Sequence, residues 1–251
     1  MLGWKERRRR RLREQEFPSD WRSILETDVP LYRRLSPDDR EELHGHVHVL
    51  LAEKHFEGAG GLDVTDRMRL IVAAQAAVLL LHRPTGYFPR LISVLLYPAE
   101  YAVQEEVEDE AGLVNEIDES RAGESWRTGT LILSWEGVER DLQSDLENVV
   151  LHEFAHQLDA ESWEMNGAPV LADNALRRRW ADAMAGAFER LEDAVDRNEE
   201  PLLDPYGAED PAEFFAVVTE AFFLVPEDLE EEEPELYAVL RDYFQQDPAR
   251  W

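Results

Sequence analysis

Val149-Val150-Leu151-His152-Glu153-Phe154-Ala155-His156-Gln157-Leu158-Asp159 is the stretch whose reading decides the fold. It sets the pattern H-E-x-x-H inside an apolar segment with the character of a buried helix. Two histidines four residues apart stack one turn above the other, so both imidazoles leave the same helix face and can grip one ion. Glu153 follows His152 directly, close enough to address a water at that ion without being a ligand. Two neutral imidazoles, one carboxylate and one open position suit zinc, one ion per chain, in a catalytic rather than a structural role. The bland alternative is a pair of core histidines satisfied by backbone groups. Unpaired His and Glu in such apolar surroundings would be costly, which favours the metal reading.

Working outward, the composition is that of a globular chain of 251 residues with 44% hydrophobic residues, seven Trp and ten Phe. It contains no cysteine, which excludes disulfides, thiolate metal sites and cysteine nucleophiles. That fits a reducing compartment, and a cytoplasmic location is expected. The basic run at Lys5 and residues 7–11 is not followed by an apolar signal region. The longest apolar run, residues 70–81, is interrupted by Gln75 and too short to cross a bilayer. Against 26 Lys+Arg stand 55 Asp+Glu, a formal net charge of −29. Such a surface repels nucleic acid and anionic membranes, so neither is expected as a direct partner. Lys5 and Lys54 are the only lysines, and the acidity fits either a host with a saline interior, where screening makes it tolerable, or ordinary compositional drift.

Taken in order, residues 1–16 read as a basic, flexible leader, most simply a solvated tail and otherwise a docking element for an acidic surface. Residues 17–35 read as short helical pieces broken at Pro30 and Pro37. Ser36-Pro37 opens a helix with a cap and Pro at its first position, expected to end near residues 58–61. That helix carries His44, His46 and His48, a rival metal site by spacing. Without a buried carboxylate beside them, they read as exposed. A helix is expected over 67–82, and strands at 91–97 and 128–135, each a short apolar run. Residues 104–125 read as an irregular excursion with one edge strand, and 137–145 as a link. After the motif helix come a loop, a helix from 174 to about 196, a loop at 199–206, an apolar helix over 212–224, an acidic loop at 227–235 and a last helix over 236–244.

The third ligand must come from outside the motif. A metzincin would need Gly and His at the positions held by Asp159 and Ser162, so that class fails. Glu213 and Glu220 stand in a helix that is otherwise almost wholly apolar, and their i, i+7 spacing puts them on one face. One would bind the ion while the other fixes a histidine from behind. The plain alternative is a carboxylate favoured by the helix dipole, which applies more to Glu213.

H-E-F-A-H-Q-L-D at residues 152–159 and D-P-Y-G-A-E-D-P-A-E-F-F-A at 204–216 together resemble the MtfA (Mlc titration factor A) family of zinc peptidases. The likeness extends to Phe17-Pro18-Ser19-Asp20-Trp21, Val29-Pro30-Leu31-Tyr32, residues 51–58 and Glu124-Ser125-Trp126, nearly the whole chain beyond the leader. The family's catalytic core looks like that of anthrax lethal factor. The resemblance implies zinc on His152, His156 and Glu213, Glu153 as general base, and Tyr206 facing the reacting carbonyl. It implies aminopeptidase-like action on short peptides, and association with a sugar-responsive transcription repressor. Glu220 is assigned by position alone, behind the ligands.

The expected architecture is α+β: a mostly helical zincin-type metallopeptidase domain with a small mixed β-sheet beside the H-E-x-x-H helix. After the leader, residues 17–251 are expected to form a single domain, with a helical N-terminal part at 17–89 and a catalytic core at 90–251. The strand at residues 130–135 is a candidate edge for an extended peptide substrate. The competing function is a regulatory protein that sequesters a repressor, with a structural or latent zinc site. Glu153 argues against that, because a structural site needs no base.

Overall fold

The computed structural model describes residues 2–99 and 129–251; the expected edge strand within 104–125 and the Glu124-Ser125-Trp126 motif lie outside them. The chain begins with α1 (Leu2–Arg13), α2 (Ser19–Asp28), α3 (Pro30–Arg34) and α4 (Pro37–Glu53), followed by β1 (His55–Gly58) and α5 (Asp66–Val78). Two further strands, β2 (Ser93–Tyr97) and β3 (Thr130–Ser134), lead into α6 (Trp135–Asp141) and α7 (Val149–Asp159). The C-terminal part holds α8 (Asn174–Asp196), α9 (Pro211–Leu224), α10 (Pro226–Glu232) and α11 (Pro234–Phe244). This is the mostly helical α+β architecture read from the sequence.

Among the described residues the sheet has three strands in the order β1-β2-β3, all parallel. His55 pairs with Ser93, and Ser93 with Thr130. Parallel neighbours need a crossover, and α5 supplies the one between β1 and β2. Both expected strands are present. β1 falls where the sequence reading ran the preceding helix on. At four residues it is too short to show a period of two, and α4 instead ends at Glu53.

Proline at the first turn opens α3, α4, α9, α10 and α11, where its missing N–H costs no intrahelical bond. The acidic run read as a loop at 227–235 is therefore mostly helix, with Glu227 and Asp228 in the first turn of α10, where the dipole favours them. Buried over most of their length, α5 from Leu70 on and α9 apart from the side that carries Glu213 and Glu220, these two helices form the centre of the core, and α7 packs against both.

The histidines of α4 are buried rather than exposed, His44 at 3% accessibility. The apolar pattern of α4 alone does not reveal this, because the covering comes from elsewhere. The basic leader forms α1, which lies across α4 at Gly45, where an added Cβ would come 3.1 Å from the Arg13 Cβ. Arg9 reaches Glu53 through two bonds of 2.9 and 2.7 Å and donates to the Gly86 carbonyl at 2.9 Å. Tyr32 and Tyr87 place their hydroxyls 3.0 Å from His44 Nε2 and 2.8 Å from His46 Nδ1, while Phe17 stacks on His44 at 3.9 Å. These histidines are buried core groups, His44 and His46 each held by a tyrosine, while His44 Nδ1 and His48 Nε2 lie buried without a hydrogen-bond partner among the described residues.

Candidate metal centre

The helix that carries the motif starts with a cap. The Asn148 side chain accepts from Leu151 N–H at 2.9 Å, and Asp141 accepts from Val149 N–H at 2.8 Å, so two orphan donors of α7 are satisfied. The Asn148 side-chain amide donates to Gln75 Oε1 of α5 at 2.6 Å, which fixes the rotation of α7 against the core. His152 and His156 then leave α7 on the face turned to α9. There Asp210 caps the helix by accepting from Ala212 and Glu213 N–H at 2.6 and 3.0 Å.

Three donor atoms converge between the two helices. His152 Nε2 and Glu213 Oε2 are 3.0 Å apart, His156 Nε2 and Glu213 Oε2 3.4 Å, and the two imidazole Nε2 atoms 3.3 Å. Bonds of about 2.0 to 2.1 Å at a tetrahedral centre separate their donors by about 3.3 Å, so the triangle has the dimensions of a zinc ligand set. The tautomer agrees. Glu220 Oε1 lies 2.8 Å from His152 Nδ1 and, as a carboxylate, can only accept. The proton therefore sits on Nδ1, and the Nε2 lone pair faces the centre of the cluster. The other oxygen of Glu220 accepts from Asn148 N–H at 2.6 Å, so one carboxylate ties the imidazole to the cap of its own helix. Two half-buried carboxylates beside two imidazoles fit a divalent cation, and His152, His156 and Glu213 form the one such metal-capable group among the described residues.

The electrostatics point the same way. Burial works against a charged His152, yet the carboxylates of Glu213 and Glu220 outweigh it and raise its pKa. Burial also works against the Glu213 carboxylate, and the two histidines outweigh it and lower its pKa. Both shifts mark a site that calls for positive charge. For Glu153 burial comes first and raises the carboxyl above its ordinary value, against the pull of His156 and His152 and with Glu213 and Glu220 adding to the rise. The raised carboxyl makes Glu153 a stronger base than an ordinary carboxylate, which suits it to taking and returning a proton.

Tyr206 stands in a short 3-10 turn (Pro205–Ala208) whose start is fixed by Asp204, which accepts from Tyr206 N–H at 2.8 Å. Its ring is 6.1 Å from that of His152 and the residue is 47% exposed, so the phenol lies at the open side of the cluster. Burial, with Glu213 and Glu209 behind it, pushes the Tyr206 hydroxyl up to about 12, which keeps it a proton donor. All six residues singled out in the sequence thus lie in or beside one cluster. Asn148 and Asp141 were not singled out. The polar residue directly before an apolar helix was the available signal for Asn148.

Comparison with known proteins agrees with this geometry. The family model described as glucose-regulated metallo-peptidase M90 matches residues 4–245. The chain is 39% identical over 248 residues to an uncharacterized protein of Synechocystis, covering 98% of this chain and 90% of the relative. It is 33% identical to Mlc titration factor A of Pectobacterium atrosepticum over 91% of this chain and 86% of that one. Against Mlc titration factor A of Yersinia enterocolitica it is 29% identical, over 95% and 91%. A match that begins in α1 and ends beyond α11 takes in every helix that builds the cluster, and on that ground the chain belongs to the M90 family of metallopeptidases.

Proposed function

We propose that the protein is a zinc-dependent peptidase of aminopeptidase-like specificity, acting on short peptides in the cytoplasm. The observation that carries this is the convergence of His152 Nε2, His156 Nε2 and Glu213 Oε2 within 3.4 Å of one another, beside a carboxylate that is not part of the triangle. Zinc held by these three residues would supply Lewis acidity, making water more acidic and the scissile carbonyl more electrophilic. Glu153 accepts the proton of the attacking water and then delivers it to the leaving amine. The Tyr206 hydroxyl donates to the developing oxyanion, a role in which one well-placed donor is worth about 3 kcal/mol. Glu220 keeps His152 in the tautomer that binds metal. Among the described residues β3 is an outer strand of the sheet, and an extended peptide would add there as a further strand.

The test is zinc content and hydrolysis of aminoacyl and short-peptide substrates for the wild type and Glu153→Gln. One zinc in each protein, with turnover lower by roughly three orders of magnitude or more in the variant, is expected for loss of a general base at a metal site. Equal turnover in both proteins would remove Glu153 from the chemistry, and absence of zinc from both would remove the ligand set. A second reading rests on the name of the relatives, Mlc titration factor A: binding of a regulatory protein of that kind, with catalysis secondary. Binding of this sort would survive Glu153→Gln, whereas hydrolysis would not.

A further inference from the structure

The loop between α7 and α8 holds two large apolar side chains in solvent, Trp163 at 81% exposure and Val170. Trp163 has φ +69°, a conformation that a bulky residue adopts only at a cost. The Arg90 guanidinium lies 4.5 Å over its ring and donates to the Ala160 carbonyl at 2.9 Å. The indole is therefore propped away from the core.

The same loop forms one wall of a recess of about 330 Å³ against α8 and the first turn of α9. Leu171, Trp180, Met184 and Phe214 line it, with Arg177 among the few polar groups. That volume lies within the range of about 300 to 1,000 Å³ typical of ligand sites. The wall is fixed rather than soft. The buried Asp159 accepts from Gly167 N–H at 2.8 Å, and the Gly167 carbonyl accepts from Trp180 Nε1 at 3.1 Å. Gly167 itself, at φ +73°, packs so closely that a Cβ would come 2.2 Å from the Pro211 carbonyl oxygen. Phe214 and Glu213 leave the same turn of α9 in different directions, one to the recess and one to the histidines. The recess is thus separate from the metal cluster although built on the same helix.

Its charge is unlike that of the molecule. On a chain of net charge −29, the exposed guanidinium of Arg177 lines the recess and Arg178 follows it directly on α8. We propose that the recess anchors a polypeptide through one bulky apolar side chain flanked by carboxylates. The apolar walls take the side chain, and Arg177 takes a neighbouring carboxylate. This goes beyond the peptidase reading, because the anchored residue need not adjoin the bond that is cut.

Fluorescence anisotropy with a dye-labelled Glu-Glu-Phe-Glu-Glu peptide tests it, with Glu153→Gln as the background so that binding is read whether or not the protein hydrolyses peptides. Saturable binding is expected, weaker by roughly tenfold when Phe in the probe is replaced by Ser or when Ala185→Trp fills the recess from the exposed side of α8. Arg177→Glu is expected to weaken it by roughly threefold or more, with a steeper loss at low salt. Ala181→Trp serves as a second filling variant if Ala185→Trp lowers the thermal midpoint. Absence of saturable binding, binding indifferent to the filling variants, or a recess that takes octanoate while excluding the peptide would each overturn the proposal.

Discussion

Glu220 shows how much of a metal centre lies behind its ligands. One oxygen holds His152 Nδ1 at 2.8 Å and the other the Asn148 N–H at 2.6 Å, so the carboxylate sets both the tautomer of an imidazole and its place on α7. Glu220→Ala should leave the chain folded and lower its zinc affinity by about 10- to 100-fold, read by competition with a chelator. Unchanged affinity would show that His152 is oriented by α7 alone. At this scale the sequence was legible where chemistry repeats at a local spacing. His152, Glu153 and His156 declare themselves within five residues, and Glu213 and Glu220 stand out as carboxylates in an apolar helix. Tyr206 was reached only through family resemblance, since its approach to His152 depends on a turn more than 50 residues downstream. Asp159 was noted only as a departure from another motif. Its role, a bond to Gly167 across a loop, leaves no periodic trace.

Among the elements, α4 carries the clearest lesson. Its histidines alternate with apolar residues and read as exposed because the sequence of one helix does not name its neighbours. The structure places α1 over that face, with Phe17 and Tyr32 closing it. Burial lowers the pKa of His44 to about 4; Arg22 and His48 add to the fall and Glu41 opposes it. Between pH 6.5 and 4 the unfolded chain takes up the proton that the folded chain refuses, so stability declines as pH falls through that window. At about 1.4 kcal/mol per unit, the loss from this residue approaches ~3 kcal/mol below pH 4. Denaturant unfolding of the wild type and His44→Gln at pH 7, 5.5 and 4.5 measures it. The wild type should show the steeper decline, and parallel declines would mean that His44 titrates normally. The long helices and the strands β2 and β3 were legible because each has room to show its period. β1 and α10 were not, one too short and the other masked by its acidic composition.

On the scale of the whole molecule, the charge of −29 is the dominant quantity. Like charges on one compact body repel, and the repulsion is relieved when the Debye length falls from about 30 Å at 0.01 M salt to about 3 Å at 1 M. The thermal midpoint should accordingly rise by several degrees between those concentrations, by calorimetry, on the scale of about 2 to 4 °C per kcal/mol for a chain of this size. A flat midpoint would mean that the acidic groups are spaced widely enough to cost nothing. The helical α+β class was legible at this scale from the alternation of long amphipathic segments with two short apolar runs. Which of the two histidines Glu220 holds was not, because it depends on how α9 packs along α7. Among the described residues no helix is long and apolar enough to cross a membrane.

The propped indole of Trp163 also gives the protein an optical property. Trp180, at 2% exposure, and Trp135 are buried, so their emission belongs to the blue side of the tryptophan spectrum. Trp163, surrounded by water and stacked by a cation, belongs to the red side. Trp163 shares that exposure with Trp4, at 75%, and a quencher dissolved in water will reach these two indoles well before it reaches the core.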